Sequence, residues 1–268
     1  MKTVAIIPAR FGSTRLPAKA LLRDTGKFLV QHVYESVAGC DALDRVIIAT
    51  DDERIVEAVR SFGGDVCMTR AEHQSGTDRV AEAAAALRLA DDDLVLNVQG
   101  DEPEIRPEVV TALVNALRAP DSPYSIATVA APFDDEGPRE GSGSPHDPNR
   151  VKVVLDGHGG ALYFSRSLIP YPRDSGEWVD RPSRWLLHMG LYGFKWAALR
   201  SLTSSRVRGQ NETDLHQRES LEQLRWLAGG YRIAVAVVSH RFVGIDTPED
   251  YAAFVQRVQS SEATASCR

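Results

Sequence analysis

Short apolar segments rich in β-branched residues alternate along this chain with segments of helical spacing. The runs in its first half are Val4–Ile7, Val46–Ala49, Leu94–Val98 and Ile126–Ala130. Between the first two, Leu29, Val33 and Val37 recur at the interval that places side chains on one helix face. Strands that alternate with helices build mainly parallel sheets with helices on both faces. The sequence therefore predicts an α/β fold with a mainly parallel sheet.

Further helices are predicted where apolar periodicity follows a capping residue. They run from about 52 to 62, from Ser75 or Thr77 to about Leu89, and from Pro107 to Leu117. Near the C-terminus, Thr247-Pro248-Glu249-Asp250 combines a cap, a proline and early acids, which predicts a helix to about Val258. The residues after it, 259–268, are expected to form a frayed tail.

The second half of the sequence is less regular than the first. Strand-like runs lie at Val151–Leu155, Ala161–Phe164, Leu187–Phe194 and Ile233–Val238, and a helix is predicted around Glu219–Leu227. Residues 133–149 are rich in Gly, Pro, Ser and charge and have no periodicity, which predicts an exposed, mobile loop. Because no internal repeat is found, residues 1–268 are predicted to be a single domain with a smaller antiparallel β part.

Composition limits the classes of function. With 268 residues, of which 43% are hydrophobic, the chain has material for a substantial core. It has no run of about 18 apolar residues and no secretory signal pattern, so a cytoplasmic protein without a membrane partner is expected. A net charge of −6 argues against a nucleic-acid partner. The three cysteines lack C-x-x-C spacing and predict neither a disulfide framework nor a zinc site.

The loop after the first strand gathers several cations and a glycine. Its polar members are Arg10, Gly12, Ser13, Arg15 and Lys19. Backbone N–H groups and Arg or Lys side chains together bind phosphate oxygens. An ordinary connection with solvated cations is the alternative, but Pro8 and Pro17 stiffen both ends of the segment and favour a phosphate site.

Two isolated acids follow strand-like runs, Asp101 in N-V-Q-G-D-E-P and Asp246 in V-G-I-D-T-P-E-D. In open α/β sheets, ligands bind beyond the carboxyl ends of the strands. Two carboxylates, completed by phosphate oxygens and water, are a usual way to hold Mg²⁺. A simple turn at Asp101 and a helix cap at Asp246 are the alternatives, although Thr247 already supplies a competent cap. We therefore predict Mg²⁺ as the cofactor, bound by Asp101 and Asp246.

A polar segment, His73-Gln74-Ser75-Gly76-Thr77-Asp78-Arg79, leads into the alanine-rich helix. Backbone N–H groups at a helix start can bind a base carbonyl, a phosphate or a carboxylate. Simple capping by Ser75 or Thr77 is the alternative, and the residues alone leave both interpretations open.

Seven segments, in order from about residue 3 to residue 251, resemble the 3-deoxy-manno-octulosonate (Kdo) cytidylyltransferase family. They are I-I-P-A-R-F-G-S-T-R-L-P-A-K, M-T-R-A-E-H-Q-S-G-T-D-R, N-V-Q-G-D-E-P, P-N-R-V-K-V-V-L-D, A-L-Y-F-S-R-S-L-I-P, H-M-G-L-Y-G-F and V-G-I-D-T-P-E-D. The resemblance implies a Rossmann-like nucleotidyltransferase fold and a homodimer, with the mixed sheet at about 150–215 as the dimer region. It further implies that CTP and Kdo react, with Mg²⁺, to CMP-Kdo and pyrophosphate.

The resemblance also implies roles for individual residues. The nucleotide would be held by Arg10, Ser13, Lys19, Gln74, Ser75 and Gly76. The sugar-acid acceptor would be surrounded by Arg15, Arg79, Gln99, Arg173, His188, Tyr192, Glu222 and Gln223. The residues expected to act in catalysis are Arg10, Lys19, Asp101 and Asp246.

Some positions depart from the family pattern. Ala18 and Ala20 replace the usual Gly and Pro beside the loop lysine, and His216 stands where an acid is expected near the acceptor. The segments 134–147 and 203–214 are longer than expected. These departures motivate an alternative acceptor, another acidic sugar or a small carboxylate or phosphonate. A non-catalytic nucleotide-binding homologue is the further alternative, although Lys19, Asp101 and Asp246 occur together.

Overall fold

The computed structural model describes residues 1–12, 15–73, 75–119, 122–175, 178–204, 214–242 and 244–266. The chain divides into two compact units. The first unit contains residues 2–89, 95–110 and 242–268, and the second contains residues 1, 90–94 and 111–241. The single domain predicted for residues 1–268 stays a prediction.

The strands of the first unit follow the predicted α/β pattern. They are β1 (Thr3–Ala9), β2 (Arg45–Thr50), β3 (Val66–Met68) and β4 (Leu94–Asn97, residues 95–97 of which belong to this unit). Their order is β3-β2-β1-β4, and β2 pairs in parallel with both β1 and β3. Nearly every side chain of β1 and β2 is buried, as expected of strands covered on both faces. The short, half-exposed β3 was not predicted.

Helices α1 (Leu29–Ala38), α2 (Glu53–Ser61) and α3 (Gly76–Ala85) alternate with these strands. The unit also contains the first residues, 107–110, of α4 (Pro107–Arg118) and the C-terminal helix α8 (Pro248–Ser266). The predicted face of α1 is confirmed, because Leu29, Val33 and Val37 are completely buried, and Ile55 and Val59 of α2 are completely buried as well. Helix α3 ends before the predicted Leu89, since Arg88 adopts a left-handed backbone conformation that a helix cannot contain.

The second unit contains a mixed sheet, as the sequence predicts, and its described residues also form helices, not all of which the sequence analysis predicted. Its strands are β5 (Ile126–Pro132), β6 (Lys152–Leu155), β7 (Ala161–Ser165), β8 (Leu186–Lys195) and β9 (Ile233–Val237). Strand β5 pairs antiparallel with β8 and parallel with β9, whereas β6 pairs antiparallel with both β7 and β8. The helices are α5 (Trp196–Leu202), α6 (Asp214–Glu219) and α7 (Glu222–Ala228).

The helix predicted around Glu219–Leu227 is wrong in its extent. The structure has two helices there, α6 and α7, separated at Ser220. Ser220 has a φ of 49°, in the left-handed region, which interrupts the helical hydrogen-bond ladder. Most of the segment 203–214 lies outside the residues that the structure describes.

The predicted loop 133–149 contains no helix or strand, but it is exposed only in part. Asp134 and Glu136 are exposed, whereas Ser144 and Asp147 are buried. The Asp147 carboxylate accepts hydrogen bonds from the backbone N–H groups of Gly143 and Asn149, both at 2.8 Å. This closed turn explains why the second half of the loop departs from the prediction of exposure. Its mobility stays a prediction.

Lys152 anchors this turn from within the second unit. Its side chain is completely buried, and its ammonium donates hydrogen bonds to the backbone carbonyls of Asp147 (3.0 Å), Arg150 (2.6 Å) and Arg166 (2.6 Å). Burial lowers the pKa of Lys152 from 10.5 to about 8, against the opposing effect of Asp147 and Glu219. The lysine thus joins the loop to the end of β7.

Replacing Lys152 with methionine is expected to destabilise the protein by about 2–4 kcal/mol near neutral pH, since three buried carbonyls lose their donor. The pKa of Lys152 is lower in the folded than in the unfolded chain, so between about pH 8 and pH 10.5 the unfolded state binds more protons. The lysine's contribution to stability therefore rises with pH in that window. Denaturant unfolding of both proteins at about pH 7 and about pH 9.5 measures this, and a difference that stays constant would contradict it.

The C-terminal tail predicted for residues 259–268 is helical in the structure. Helix α8 continues from Pro248 to Ser266. The hydroxyls of Ser260 and Ser261 donate to the carbonyls of Gln256 (2.8 Å) and Val258 (2.7 Å), and the following E-A-T-A-S contains alanines, which favour helix. The prediction of a frayed tail from residue 259 is therefore wrong as far as Ser266. Among the described residues, we find no helix with the length and apolar character to cross a membrane.

Candidate active site

A pocket of the first unit collects most of the residues predicted for the nucleotide and the metal. It is lined by Pro8, Ala9, Arg10, Arg15, Lys19, Ala20, His73, Ser75, Gly76, Arg79, Gln99, Gly100, Asp101 and Asp246. Residues from four distant parts of the sequence thus meet beyond the ends of β1 and β4, where ligands bind in open α/β sheets. Ser13 and Gln74, which were also predicted here, lie outside the described residues.

An apolar cluster packs the loop that carries the cations against the N-terminal part of α8. Leu16, Leu29, Ile245, Tyr251 and Phe254 are buried together. The loop then turns sharply at Ala18, whose φ of 52° lies in the left-handed region. The resemblance led us to expect glycine at this position, and the observed backbone gives the reason, since glycine adopts this conformation without steric cost.

Lys19 lies between the two predicted metal ligands. Its Nζ is 2.6 Å from Asp101 Oδ2 and 3.2 Å from Asp246 Oδ1, and it also donates to the carbonyl of Ile245 at 2.7 Å. The backbone N–H of Ile245 in turn donates to the Asp101 carbonyl at 2.8 Å. Two carboxylates 145 positions apart in the sequence are therefore held around one cation.

Asp246 is available to the pocket because another residue caps α8. The Thr247 hydroxyl accepts a hydrogen bond from the Asp250 N–H at 3.2 Å, and the Asp250 carboxylate accepts from the N–H groups of Asp246 and Thr247. The Asp246 carboxylate instead lies 3.2 Å from Arg15 Nη2. This confirms the prediction that Thr247, rather than Asp246, is the cap.

A third carboxyl, Glu102, lies directly behind this pair. Its side chain is buried, and its Oε2 has no hydrogen-bond partner within the part of the chain that the structure describes. Burial and the negative charges of Asp101 and Asp246 raise the pKa of Glu102 well above its usual range, against the effect of Lys19. The preceding Gly100 allows this turn to approach β1 closely, since a Cβ there would lie 2.8 Å from the Pro8 carbonyl oxygen.

The start of α3 forms another wall of the pocket. The Ser75 hydroxyl accepts from the Asp78 N–H at 3.2 Å, so the capping alternative is confirmed for this side chain even though Ser75 and Gly76 line the pocket. Arg79, predicted to bind the acceptor, is buried and donates to Asp51 Oδ2 at 2.8 Å and to Thr69 Oγ1 at 2.6 Å. These contacts tie α3 to Asp51 and Thr69 and so stabilise this side of the pocket. The role of Arg79 in binding the acceptor stays a prediction.

The donor set at Asp101 and Asp246 suits a magnesium ion. Both ligands are carboxylates, the hard oxygen donors that Mg²⁺ prefers, and they converge on one point where a positive charge already lies. Among the described residues, no group of three or more His, Cys, Asp or Glu side chains is arranged to hold a metal. The protein would thus supply two ligands, which is typical of Mg²⁺ sites completed by substrate phosphates and water.

His188 and Tyr192, predicted around the acceptor, lie on β8 in the second unit. Their ring centroids are 5.3 Å apart, so the two side chains lie on the same face of the strand. Burial lowers the pKa of His188 to about 3, and its Nε2 lies 3.0 Å from the Thr128 hydroxyl. Burial, and to a lesser extent Glu222, raises the pKa of Tyr192 well above 10. The Tyr192 hydroxyl is buried with no hydrogen-bond partner among the described residues, so it is a donor in need of an acceptor.

The remaining predicted acceptor residues also belong to the second unit. Arg173 is exposed in a short 3-10 turn, Arg173–Ser175. Glu222 and Gln223 begin α7, where Gln223 is buried and Glu222 pairs with Arg225 at 3.2 Å. The acceptor roles of these residues stay predictions. His216, which stands where an acid was expected near the acceptor, lies in α6, and its effect on the choice of acceptor is untested.

The sequence analysis missed two contributors to this site. His73 lines the pocket but was not among the predicted site residues, and Glu102 was regarded only as part of a turn. His73 could have been noticed because it stands just before a helix start. Glu102 could have been noticed because it is an acid in the turn that follows β4. Neither signal separates a site residue from an ordinary polar loop residue.

Known proteins with similar sequences are cytidylyltransferases, as the residues of this pocket lead one to expect. Residues 4–233 match the family model described as Cytidylyltransferase. The chain is 44% identical to a 3-deoxy-manno-octulosonate cytidylyltransferase from Bacteroides thetaiotaomicron, with 93% of this chain and 95% of that protein covered. It is 42% identical to an 8-amino-3,8-dideoxy-manno-octulosonate cytidylyltransferase from Shewanella pealeana, with 93% and 96% covered.

A solved structure is similar over the same length. It is that of CMP:2-keto-3-deoxy-manno-octonic acid synthetase complexed with CTP, with a TM-score of 0.84, 38% identity, and 97% of this chain and 100% of that chain covered. The fold predicted from the sequence is thereby confirmed. Because the family model and these relatives match nearly the whole chain, the protein belongs to the cytidylyltransferase family and, within it, to the 3-deoxy-manno-octulosonate cytidylyltransferases.

Proposed function

We propose that this protein transfers the cytidylyl group of CTP to 3-deoxy-manno-octulosonate (Kdo), forming CMP-Kdo and pyrophosphate. The observation that carries the proposal is the convergence of Lys19, Asp101 and Asp246 in one pocket with Arg10 and Arg15. This arrangement occurs in a chain that is similar, over its length, to a synthetase whose structure was solved with CTP.

The proposed reaction is a direct displacement at the α-phosphorus of CTP. The anomeric hydroxyl oxygen of the acceptor forms a bond to the α-phosphorus, the bond from that phosphorus to the bridging oxygen breaks to release pyrophosphate, and the hydroxyl proton passes to water. Such transfers depend on positioning and on stabilising charge in the transition state. No covalent intermediate with the protein is needed. Arg10 and Lys19, which line the pocket, offset the negative charge that grows on pyrophosphate.

Asp101 and Asp246 would hold the magnesium ion. When bound, the ion supplies Lewis-acid chemistry, because it lowers the pKa of a hydroxyl and polarises a phosphoryl oxygen. Lys19 keeps both carboxylates together at 2.6 Å and 3.2 Å, so the ligands are positioned before substrate arrives.

The acceptor carries a carboxylate, which calls for forked arginine partners. Arg15 is suited to this task because its side chain is largely exposed at the pocket and is held beside Asp246. Tyr192, with a protonated hydroxyl and no partner among the described residues, is suited to donate to an acceptor oxygen. We include Gln99, Arg173, His188, Glu222 and Gln223 in the proposed acceptor set on the basis of the resemblance alone.

Pyrophosphate release over the four ribonucleoside triphosphates and a panel of acidic sugars tests this proposal. We expect turnover with CTP and Kdo in the presence of Mg²⁺, and at least about tenfold lower kcat/KM with UTP or with an acceptor that lacks the carboxylate. CTP binding without Mg²⁺-dependent turnover of any acceptor would instead support a non-catalytic nucleotide-binding protein.

A second acceptor has a specific observation in its favour. The Shewanella relative is named for 8-amino-3,8-dideoxy-manno-octulosonate and is almost as similar as the relatives named for Kdo. The two acids differ at C8, where an amine replaces a hydroxyl. A higher kcat/KM for the 8-amino acid than for Kdo in the same assay would assign that acceptor instead.

The homodimer predicted from the resemblance is also part of the proposal. Three large apolar side chains in the mixed-sheet region support it, since Leu162, Tyr171 and Trp178 are each more than half exposed. The cytoplasmic location stays a prediction.

A further inference from the structure

The pocket contains a histidine that the proposed mechanism does not use. His73 precedes α3 and lines the pocket together with Ser75 and Gly76. Only 11% of its side chain is exposed, so the ring is held by its surroundings. The basic side chains of the pocket, Arg10 and Lys19, suit phosphates. His73 and the start of α3 instead offer hydrogen-bonding groups that suit a nucleobase.

A glutamate of the same helix fixes one edge of this ring. Glu82 lies in the second half of α3, and its Oε2 forms a hydrogen bond with His73 Nε2. Arg70 secures that carboxylate from the other side, with its Nε 3.1 Å from Oε2 and its backbone N–H 3.2 Å from Oε1. Burial opposes ionisation, but the hydrogen bonds from His73 and Arg70 lower the pKa of Glu82 overall.

An ionised carboxylate accepts hydrogen bonds and cannot donate one. The proton of the neutral His73 ring must therefore be on Nε2, and Nδ1 is left with a lone pair. The second edge of the ring is thus a hydrogen-bond acceptor whose orientation is set by Glu82 rather than by the ligand.

Cytosine and uracil differ at the position that such an acceptor can recognise. Cytosine has an exocyclic amino group, which donates, where uracil has a carbonyl oxygen, which accepts. A nitrogen that can only accept a hydrogen bond, and that is held in place, binds the cytosine amino group and repels the uracil carbonyl oxygen.

We propose that His73 selects cytosine over uracil by accepting a hydrogen bond from the cytosine amino group at Nδ1, and that Glu82 is the positioning residue that fixes the required tautomer. This inference rests on the proposed function, because it assumes that the pocket takes a cytidine nucleotide. It adds the residues by which the base would be chosen.

The test measures CTP and UTP with the same enzyme preparations at one fixed pH. The variants are Glu82→Gln, whose amide no longer fixes the proton on Nε2, and His73→Ala, which removes the acceptor. Glu72→Gln is the matched control, because Glu72 is an exposed acid in the same segment and the substitution removes the same charge. Both kcat/KM with Kdo and the dissociation constants of CTP and UTP are determined.

We expect the ratio of CTP to UTP, in kcat/KM and in affinity, to fall roughly tenfold or more in Glu82→Gln and in His73→Ala, and to stay unchanged in Glu72→Gln. A ratio that stays at the wild-type value in His73→Ala overturns the inference, even if both nucleotides react more slowly. If Glu82→Gln fails to fold, His73→Ala decides. Wild-type protein that binds CTP in preference to UTP but transfers it to no acceptor would contradict the proposed reaction and leave this test of base choice intact.

Discussion

Replacing Asp101 with asparagine is expected to lower kcat by at least about a hundredfold, because the site loses one of its two carboxylates. Asparagine has the same shape but carries no charge, so the change tests the charge rather than the packing. The measurement is pyrophosphate release with CTP and Kdo over a series of Mg²⁺ concentrations. We expect the Mg²⁺ needed for half-maximal rate to rise as well, since the charge that attracts the ion is smaller.

Glu104→Gln is the matched control for this substitution. Glu104 lies three positions further along and pairs with Arg257 at 2.7 Å, outside the pocket lining. Its turnover is expected to remain within about twofold of wild type, since surface ion pairs contribute little. If Asp101→Asn kept near-normal turnover at saturating Mg²⁺, the assignment of Asp101 as a metal ligand would be wrong.

Replacing Lys19 with methionine is expected to lower kcat/KM for CTP by about a hundredfold or more, since a positive charge is lost where the pyrophosphate carries its negative charge. Lys19 also lies 2.6 Å from Asp101 and 3.2 Å from Asp246. Without its charge the two carboxylates attract a cation more strongly, so the affinity for Mg²⁺ should not fall. Asp101→Asn is therefore expected to weaken Mg²⁺ binding, whereas Lys19→Met is not. Both substitutions are expected to slow the reaction.

Lys27→Met provides the comparison, because Lys27 is an exposed lysine of the same unit that pairs with Glu35 at 2.7 Å. Steady-state kinetics for CTP and a titration with Mn²⁺ as a spectroscopic probe of the metal site measure both quantities in each variant. A Lys19→Met enzyme with wild-type kcat/KM for CTP would contradict the phosphate role of Lys19. If that enzyme also bound the metal more weakly, Lys19 would instead serve the metal site.

Much of the fold could be predicted because its signals are local. Apolar residues at helical intervals located α1 and α2, and Thr247 followed by Pro248 located the start of α8. The errors have local causes as well. Strand β3 is short and half-exposed, so its apolar signal is weak. Arg88 and Ser220 adopt left-handed backbone conformations, which arginine and serine rarely do, so their residue types did not predict them.

The sequence predicted which residues form the site better than it predicted which of them contact one another. Nine described residues that the sequence analysis assigned to the nucleotide, metal or acceptor do line one pocket. Their pairing could not be predicted, since Lys19 meets Asp101 and Asp246 across 82 and 227 positions. Likewise, the burial of Arg79 against Asp51 depends on how α3 packs on the strands. These contacts depend on tertiary packing, about which the local periodicity of the sequence gives no information.

The most direct test of the central proposal is identification of the products by ³¹P NMR after incubation with CTP, Kdo and Mg²⁺. We expect a phosphodiester of CMP and pyrophosphate to appear in equal amounts, and neither to form when Kdo or Mg²⁺ is left out. Asp101→Asn, under the same conditions, should form both at least about a hundredfold more slowly. Free CMP in place of the phosphodiester, or an unchanged rate in the presence of a chelator, would contradict the proposal.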